Sequence, residues 1–584
     1  MPRTLFRTYL PATVSLTAAL ALQPSGAQAG FDAELIKAHI SVLAHDSLEG
    51  RKVGTESERK AAAYIAGQFA EIGLDPAGDP GAYLQHFEFT SEIRDGANNA
   101  LAIDGRALQL DDDFQPLISS KVGDFRFEGL VYVGYGIEHD SLDHHDYQDK
   151  DVAGKAVLIS RSSPDGDDPH GPYYNYSSLD AKVAEALQHD AAGVFFFTPE
   201  GDDDVLEGGP VKRVVPMKDI PIVFLKRTVF DDTHPTPEAL AQATFELTID
   251  LERVKDTAMN VVGTLTGGGA AANERIVVVG AHFDHLGWGG KGSGSKYLGE
   301  EPQIHNGADD NASGTAGMIE MARHFAEIKD DLNYSLLFIG FTGEEFGILG
   351  SSHFVKNPTI DLENVDFMVN MDMIGRLDTA KGLMTMGSGS SPTFQEYFDA
   401  YKENFENGKY SDSLKILVKE SGVGPSDHSA FYNSDIPVLF FFTGQHEDYH
   451  KPTDDTEGID FAAETKVLDF VAARIEQFAS EPEKLVFQKT KNDAPGKSPR
   501  FTVTLGVMPD YLWEEKGLRI DGVTEGGPAD LAGVHKGDIV VQLGEYEVHD
   551  IYAYMAGLAH FRKGDSTTVV VEREGERIEM PLVF

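Results

Sequence analysis

The chain has 584 residues, carries 95 Asp and Glu against 49 Lys and Arg for a net charge of −46, and contains no cysteine. That length implies three or four folded units. The acidic balance excludes the basic patches of a nucleic-acid binder, and the lack of thiols excludes disulfides and a cysteine nucleophile.

Arg3 and Arg7, a mostly small or apolar stretch over 10–22 and the triplet Ala27-Gln28-Ala29 form the pattern of a secretory signal cleaved after Ala29. The apolar stretch is too short to span a bilayer, and no later run reaches spanning length without charges. The expected product is exported and soluble, periplasmic or secreted. Residues 31–73 predict two helices split by a loop. Ala61, Ala62, Ile65, Phe69 and Ile72 recur at helical spacing, and Gly73 stops the second helix. From about 115 the texture changes to short strands with Gly, Asp and Pro turns, clearest at 129–137 and 151–159. There His139, Asp140, Asp143, His144, His145 and Asp146 crowd together. Their place in a polar turn between strands predicts solvated surface rather than a metal site.

Beyond about 255, four apolar runs at 275–280, 334–341, 367–371 and 436–442 lead into His282, Glu344, Asp372 and His450 respectively. Continuous Val, Ile, Leu and Phe runs predict strands buried on both faces of a sheet. Ligands of open α/β sheets bind outside the carboxyl ends of such strands, so these polar groups converge on one site. The stretch Gly307–Gly314 adds Asp309 and Asp310, with Ser313 placed to cap the helix that follows. Asp, His and Glu are the nitrogen and oxygen donors of catalytic zinc. His282 and Asp284, two apart in extended chain, face the same way. Glu344 and Glu345 are adjacent, so neither can take the other's place in space. A helix is predicted over 461–478, a polar Pro/Gly/Lys linker over 483–499, and a unit of alternating strands and helices over 500–584.

The segments AHFDHLG (281–287), HNGADDNASG (305–314), TGEEFGILGS (342–351), NMDMIG (370–375) and DYHKPTDDT (448–456) occur in that order. Together they resemble the co-catalytic di-zinc aminopeptidase family, whose relatives include glutamate carboxypeptidase, the glutaminyl cyclases and the transferrin receptor. The resemblance covers residues 31–110 and 255–480 and implies an α/β fold, an open mixed sheet flanked by helices. It divides the catalytic domain into 30–114 and 255–482, around a β-rich protease-associated insertion at 115–250. Residues 500–584 resemble a bacterial PDZ domain on Thr504-Leu505-Gly506-Val507, Gly526-Gly527-Pro528-Ala529 and Lys536-Gly537-Asp538-Ile539-Val540. Such a domain can receive a peptide's C-terminus at its carboxylate loop and sheet edge.

By the same resemblance two zinc ions bind per chain. Asp309 bridges them and its peptide bond to Asp310 is cis. His282 and Asp372 hold one ion, and Glu345 and His450 the other. Asp284 orients His282, Glu344 is the general base, and Tyr449 stabilises the oxyanion. The segment Ser426-Asp427-His428 matches a family stretch without a ligand role, and His285, His305, His353 and His446 are expected to be supporting or structural. Two dications against Asp309, Glu345 and Asp372 leave one positive charge for a bridging hydroxide to balance. The implied activity is removal of the N-terminal residue from peptides. The ligands leave open a carboxypeptidase or dipeptidase of the same clan, while the full ligand set disfavours a glutaminyl cyclase or a receptor-like scaffold.

Overall fold

The computed structural model describes residues 30–584 apart from 140–141, 167–172, 174–175, 210–216, 231–232, 291–292, 298, 300, 408–413, 491–502, 510–515, 524–526, 550, 559, 562–564 and 574. The expected signal segment, residues 1–29, lies outside the described residues. The two predicted N-terminal helices are α1 (Ala33–Leu43) and α2 (Glu56–Ile72). Asp32 and Thr55 cap them by accepting from the backbone N–H groups of Glu34 and Glu58, and Gly73 closes α2 in the left-handed conformation that glycine adopts without strain.

The central sheet has nine strands: β1 (Asp75–Pro76), β2 (Leu84–Asp95), β3 (Leu251–Leu265), β4 (Ile276–His282), β5 (Ser335–Phe341), β6 (Val365–Met371), β7 (Leu383–Met386), β8 (Ile416–Lys419) and β9 (Val438–Phe442). Their order is β1-β3-β5-β4-β6-β9-β7-β8, with β2 also paired to β3. Strands β5, β4, β6 and β9 run parallel at its centre. This is why their sequences are unbroken apolar runs: both faces are covered. Along β4 the side chains alternate, Val277, Val279 and Ala281 entering one core and Val278 the other. The first core is shared with α1, α2, α3 (Gly314–Ile328), α5 (Pro392–Glu406) and α7 (Phe461–Ala479). The second packs against α4 (Leu349–Lys356) and α6 (His428–Tyr432).

The inserted unit begins earlier than expected. Ala100–Ile103 and Arg106–Leu108 join Thr244–Ile249 and Gly123–Glu128 in a four-stranded antiparallel sheet. A five-stranded sheet with a parallel centre follows, made of Leu130–Tyr132, Ala156–Ser160, Gly193–Phe197, Ile222–Leu225 and Phe114–Pro116. The boundary placed at 115 therefore moves to the end of β2. Strands β2 and β3 pair from Leu84↔Val261 to Asp95↔Leu251, and their outer residues Ile93 and Leu251 enter the insertion's own core. No composition change marks this point, because one continuous ribbon serves both units.

The expected linker also starts later than 483. Leu485 N donates to Asp366 Oδ1 at 2.7 Å, Gln488 N to Ser390 O at 2.9 Å and Thr490 N to Tyr432 Oη at 2.8 Å, so the chain is fastened to the catalytic unit through Thr490. The C-terminal strands, Val507–Pro509 to Glu576–Val583, surround a separate core that includes Leu505, Ile520, Val540, Val571 and Leu582.

Candidate metal centre

His282 ends β4, Glu344 and Glu345 follow β5, Asp372 follows β6, and His450 lies on the loop beyond β9. The sheet thus delivers the predicted strand-end groups to one place. His282 Nε2 is 3.4 Å from Asp372 Oδ1 and 3.5 Å from Asp310 Oδ1. His450 Nε2 is 3.2 Å from both Asp310 Oδ2 and Glu345 Oε2. His282–Asp310–Asp372 and His285–Asp310–Glu345 form two groups whose ligand atoms lie within 4.8 Å of one another.

Asp310, not Asp309, stands in both groups, which corrects the expected bridge. Its two oxygens face the two halves of the cluster. Asp309 turns the other way: Oδ1 accepts from Gly375 N at 2.8 Å, and Oδ2 lies 3.2 Å from His446 Nε2. The cis peptide bond shifts by one residue with it, to Asp310–Asn311. Asp454 fixes the turn from below by accepting the N–H groups of Asp309 and Asp310, and is itself held by Arg376. Ser313 does not cap α3. Its hydroxyl donates to Asp309 O and accepts from Ile374 N, while Asn311 Oδ1 accepts from Gly314 N and Met373 N. Those bonds join the Asp310 turn to the loop that carries Asp372.

The histidine orientations follow from their other ring nitrogens. His450 Nδ1 lies 3.0 Å from Gly294 O, a contact that fixes the ring with Nε2 turned towards the carboxylates. His282 Nδ1 is 3.2 Å from the Asp284 backbone oxygen and 3.6 Å from its carboxylate. Asp284 Oδ1 also accepts from Glu344 N at 3.1 Å, so this fully buried residue positions two members of the site. His285, expected to be supporting, lies 2.7 Å from Glu345 Oε1 and 3.8 Å from Asp310 Oδ2.

Charge in the cluster is unbalanced towards the acids. Burial opposes protonation of His282, yet Asp372, Asp284 and Glu344 outweigh it and hold its pKa well above the usual value. Burial likewise opposes the charge on His450, but Glu345 and Asp310 raise its pKa to about 11. Burial would also raise Glu345, but His450 and His285 hold its carboxyl well below the ordinary range. Glu344 goes the opposite way. Burial, then Asp372, Glu345 and Asp427, raise its pKa against the pull of His282. Two neighbouring glutamates are thus driven apart, one fixed as an anion and one disposed to take a proton. Burial, Asp310 and Glu345 also keep Tyr449 protonated well beyond pH 10, as a hydroxyl donor.

A pair of divalent ions fits this donor set. The buried His282 Nε2 has no hydrogen-bond partner. Metal–nitrogen and metal–oxygen bonds of about 2.0–2.2 Å in a tetrahedron place donors roughly 3.3–3.6 Å apart, close to the separations of 3.2–3.5 Å within the cluster.

Other residues act from farther out. Ser426 Oγ donates to Asp372 Oδ2 at 2.8 Å, giving the Ser426-Asp427-His428 segment an orienting role that no local pattern announced. Arg51, in the loop between α1 and α2, is wholly buried and donates to the carbonyls of Leu43, Phe283, Asn306 and Gly307. It ties the His282–His285 loop to the Asp310 turn. His305 bonds Ser295, and His353 stacks on Phe87. In the insertion, His144 pairs with Asp146 and His145 with Glu138, half-buried rather than solvated. Asp140 lies outside the described residues.

Residues 260–475 match Peptidase family M28, and residues 489–582 match a PDZ domain. Aminopeptidase YwaD of Bacillus subtilis is 26% identical over 81% of this chain and 91% of its own length. A probable leucine aminopeptidase of Arthroderma benhamiae is 30% identical over 32% of this chain, which spans 50% of that protein. Among solved structures, BSAP, a zinc aminopeptidase from Bacillus subtilis, aligns with 79% of this chain and 99% of its own, at 23% identity and a TM-score of 0.43. The metal-ligand cluster therefore lies within the stretch that is similar to Peptidase family M28, and the stretch similar to a PDZ domain follows it.

Proposed function

We propose that the protein is an exported metallo-aminopeptidase that holds two zinc ions and removes the N-terminal residue from peptides. The observation that carries this reading is the doubled donor cluster about Asp310 with the separate Glu344 carboxyl beside it. His282, Asp310 and Asp372 would hold one ion. Asp310, Glu345 and His450, with His285 in reach, would hold the other. Bound there, zinc supplies a Lewis acid for the scissile carbonyl and a water acidic enough to ionise near neutral pH.

The protein's own groups supply the remaining steps. Glu344, a raised-pKa carboxyl held in place through its backbone bond to Asp284, accepts the proton of the attacking water. It then returns that proton to the leaving amine nitrogen, so the carboxylate is restored at each turnover. Tyr449, stacked on His450 with ring centres 3.9 Å apart, presents a protonated hydroxyl to the developing oxyanion. Asp284, Ser426 and the Gly294 carbonyl hold His282, Asp372 and His450 in their working orientations.

The relatives YwaD and the leucine aminopeptidases support cleavage at the amino end. The export signal supports action outside the cytoplasm, and the PDZ domain would take a peptide C-terminus. A panel of free and N-blocked peptides, assayed with and without a chelator, tests the activity. Cleavage only of free N-termini, abolished by the chelator and restored by zinc, is expected. Release of C-terminal residues from N-blocked peptides would establish a carboxypeptidase instead. N-terminal sequencing of the exported protein should begin at Gly30, and an intact Met1 would refute export by cleavage after Ala29.

A further inference from the structure

The turn from Thr342 to Gly350 carries Glu344 and Glu345 between the end of β5 and the start of α4. Glu344 O accepts from Gly347 N and Ile348 N, both at 2.9 Å, and Ile348 sits at φ 49° and ψ 44°. A β-branched residue in that left-handed region is strained, and such a conformation persists only where its surroundings over-determine it. Glu345 is tied by its own side chain, to His285 and His450. Glu344 is placed by its backbone, which also donates to Asp284 Oδ1. The direction of the Glu344 carboxyl therefore depends on what grips the two ends of the turn.

Buried polar groups grip both ends. Thr342, wholly buried, donates its hydroxyl to Glu58 Oε1 at 2.6 Å. Glu58 lies in the first turn of α2 and is equally buried. Its Oε2 accepts from Gly54 N at 2.7 Å, and Oε1 also accepts from Met259 N at 3.4 Å. Next along β3, the buried Asn260 reaches both ends: Oδ1 accepts from Thr342 N at 3.3 Å, and Nδ2 donates to Gly350 O at 3.0 Å. Gly350 N bonds Thr342 O at 2.8 Å. A Cβ at Gly350 would lie 2.3 Å from Asn260 Oδ1 and 2.5 Å from Thr342 O, so the close approach requires glycine.

We propose that Glu58 and Asn260 form a buried clamp that positions Glu344 by gripping Thr342 and Gly350. The inference rests on the reading of Glu344 as general base and names the residues that aim it. Both are positioning residues, acting through the turn. A hydrogen bond from a hydroxyl to a carboxylate is short and directional, and it fixes the Thr342 rotamer as apolar packing alone would not.

The test is a double-mutant cycle on the zinc-loaded enzyme with leucine p-nitroanilide, comparing wild type, Glu58→Gln, Thr342→Val, their double variant and Thr342→Ser. Burial raises the Glu58 pKa to about 7, so the assays run well above that pH, where the wild type carries the carboxylate. Glu58→Gln leaves one oxygen for three donors, and Thr342→Val removes the hydroxyl. A displacement of about 1 Å can cost about 10²-fold in rate, so each single variant should lose about 10–100-fold in kcat, with KM and zinc content unchanged. Both changes break one bond, so the double variant should fall no further than the worse single. Thr342→Ser retains the hydroxyl and should keep near-wild-type kcat. If Glu58→Gln fails to fold, the contrast between Thr342→Val and Thr342→Ser decides. Wild-type kcat in Thr342→Val, equal losses in Thr342→Val and Thr342→Ser, or losses that multiply in the double variant overturn the clamp alone. Zinc lost in step with kcat also overturns it, by placing the effect at Glu345. A wild type that does not cleave overturns the activity, and the clamp's role with it.

Discussion

Replacing Asp310 by Asn should empty both proposed metal sites, whereas the same change at Asp309 should leave both filled. Asp310 Oδ1 serves the His282–Asp372 half and Oδ2 the Glu345–His450 half, so one substitution weakens two sites at once. Losing a residue that merely supports a ligand costs about 10–100-fold in metal affinity. Loss of a shared anionic donor should therefore cost at least about 100-fold at each half. In Asp309→Asn the amide oxygen still accepts from Gly375 N, and the lost group is a charge facing His446 rather than a donor to the cluster. The expected penalty there is tenfold or less in affinity. The assay is elemental analysis after dialysis against fixed free zinc, followed by kcat/KM at saturating zinc. Two ions per chain in Asp309→Asn and fewer than one in Asp310→Asn are expected. Two ions retained by Asp310→Asn, with loss from Asp309→Asn, would refute the reasoning and restore Asp309 as the bridge.

Glu344→Gln should keep both ions and the fold while kcat falls by about 10²–10⁴ with KM little changed; metal loss like that of Glu345→Gln would show that the two roles have been exchanged. Lys182, buried in the insertion and donating to the carbonyls of Ser160 and Ser162, has its pKa lowered by burial from 10.5 to about 7. Its stabilising contribution is present above pH 10.5 and is lost as pH falls through 7. Wild-type stability, followed by thermal unfolding, should therefore rise from pH 7 towards 10 relative to Lys182→Met by an increment on the order of a few kcal/mol, and parallel curves would contradict this. Removing the chain from residue 500 onward should leave turnover of a small chromogenic substrate largely intact, because the bond from Thr490 to Tyr432 survives. Cutting at 482 should lower stability by exposing Asp366 and Tyr432. Loss of turnover in the protein that ends at residue 499, with metal still bound, would mean that the PDZ domain takes part in catalysis.

Much of the centre could be read from the chain because parallel strands buried on both faces must be apolar throughout. The abrupt polar residues His282, Glu344 and Asp372 after such runs mark strand ends, and strand ends mark the site. Helices α2 and α7 were legible for the same reason, their apolar residues recurring at the helical period. Adjacent acids in an irregular turn carry no such signal. Which of Asp309 and Asp310 faces the cluster is set by the backbone angles at Asp310 (φ −104°, ψ 93°) and Asn311 (φ −130°, ψ 48°). Partners as far away as Gly375 and Asp454 hold that turn. The contacts that His285, Ser426 and Arg51 make with the site were hidden for a related reason, since their partners Glu345, Asp372 and Gly307 lie 54–256 residues away in the chain. The sequence by itself determined which residue types reach the end of the sheet. The tertiary structure alone decided which oxygens and nitrogens point at one another, because hydrogen bonds between distant loops set those directions.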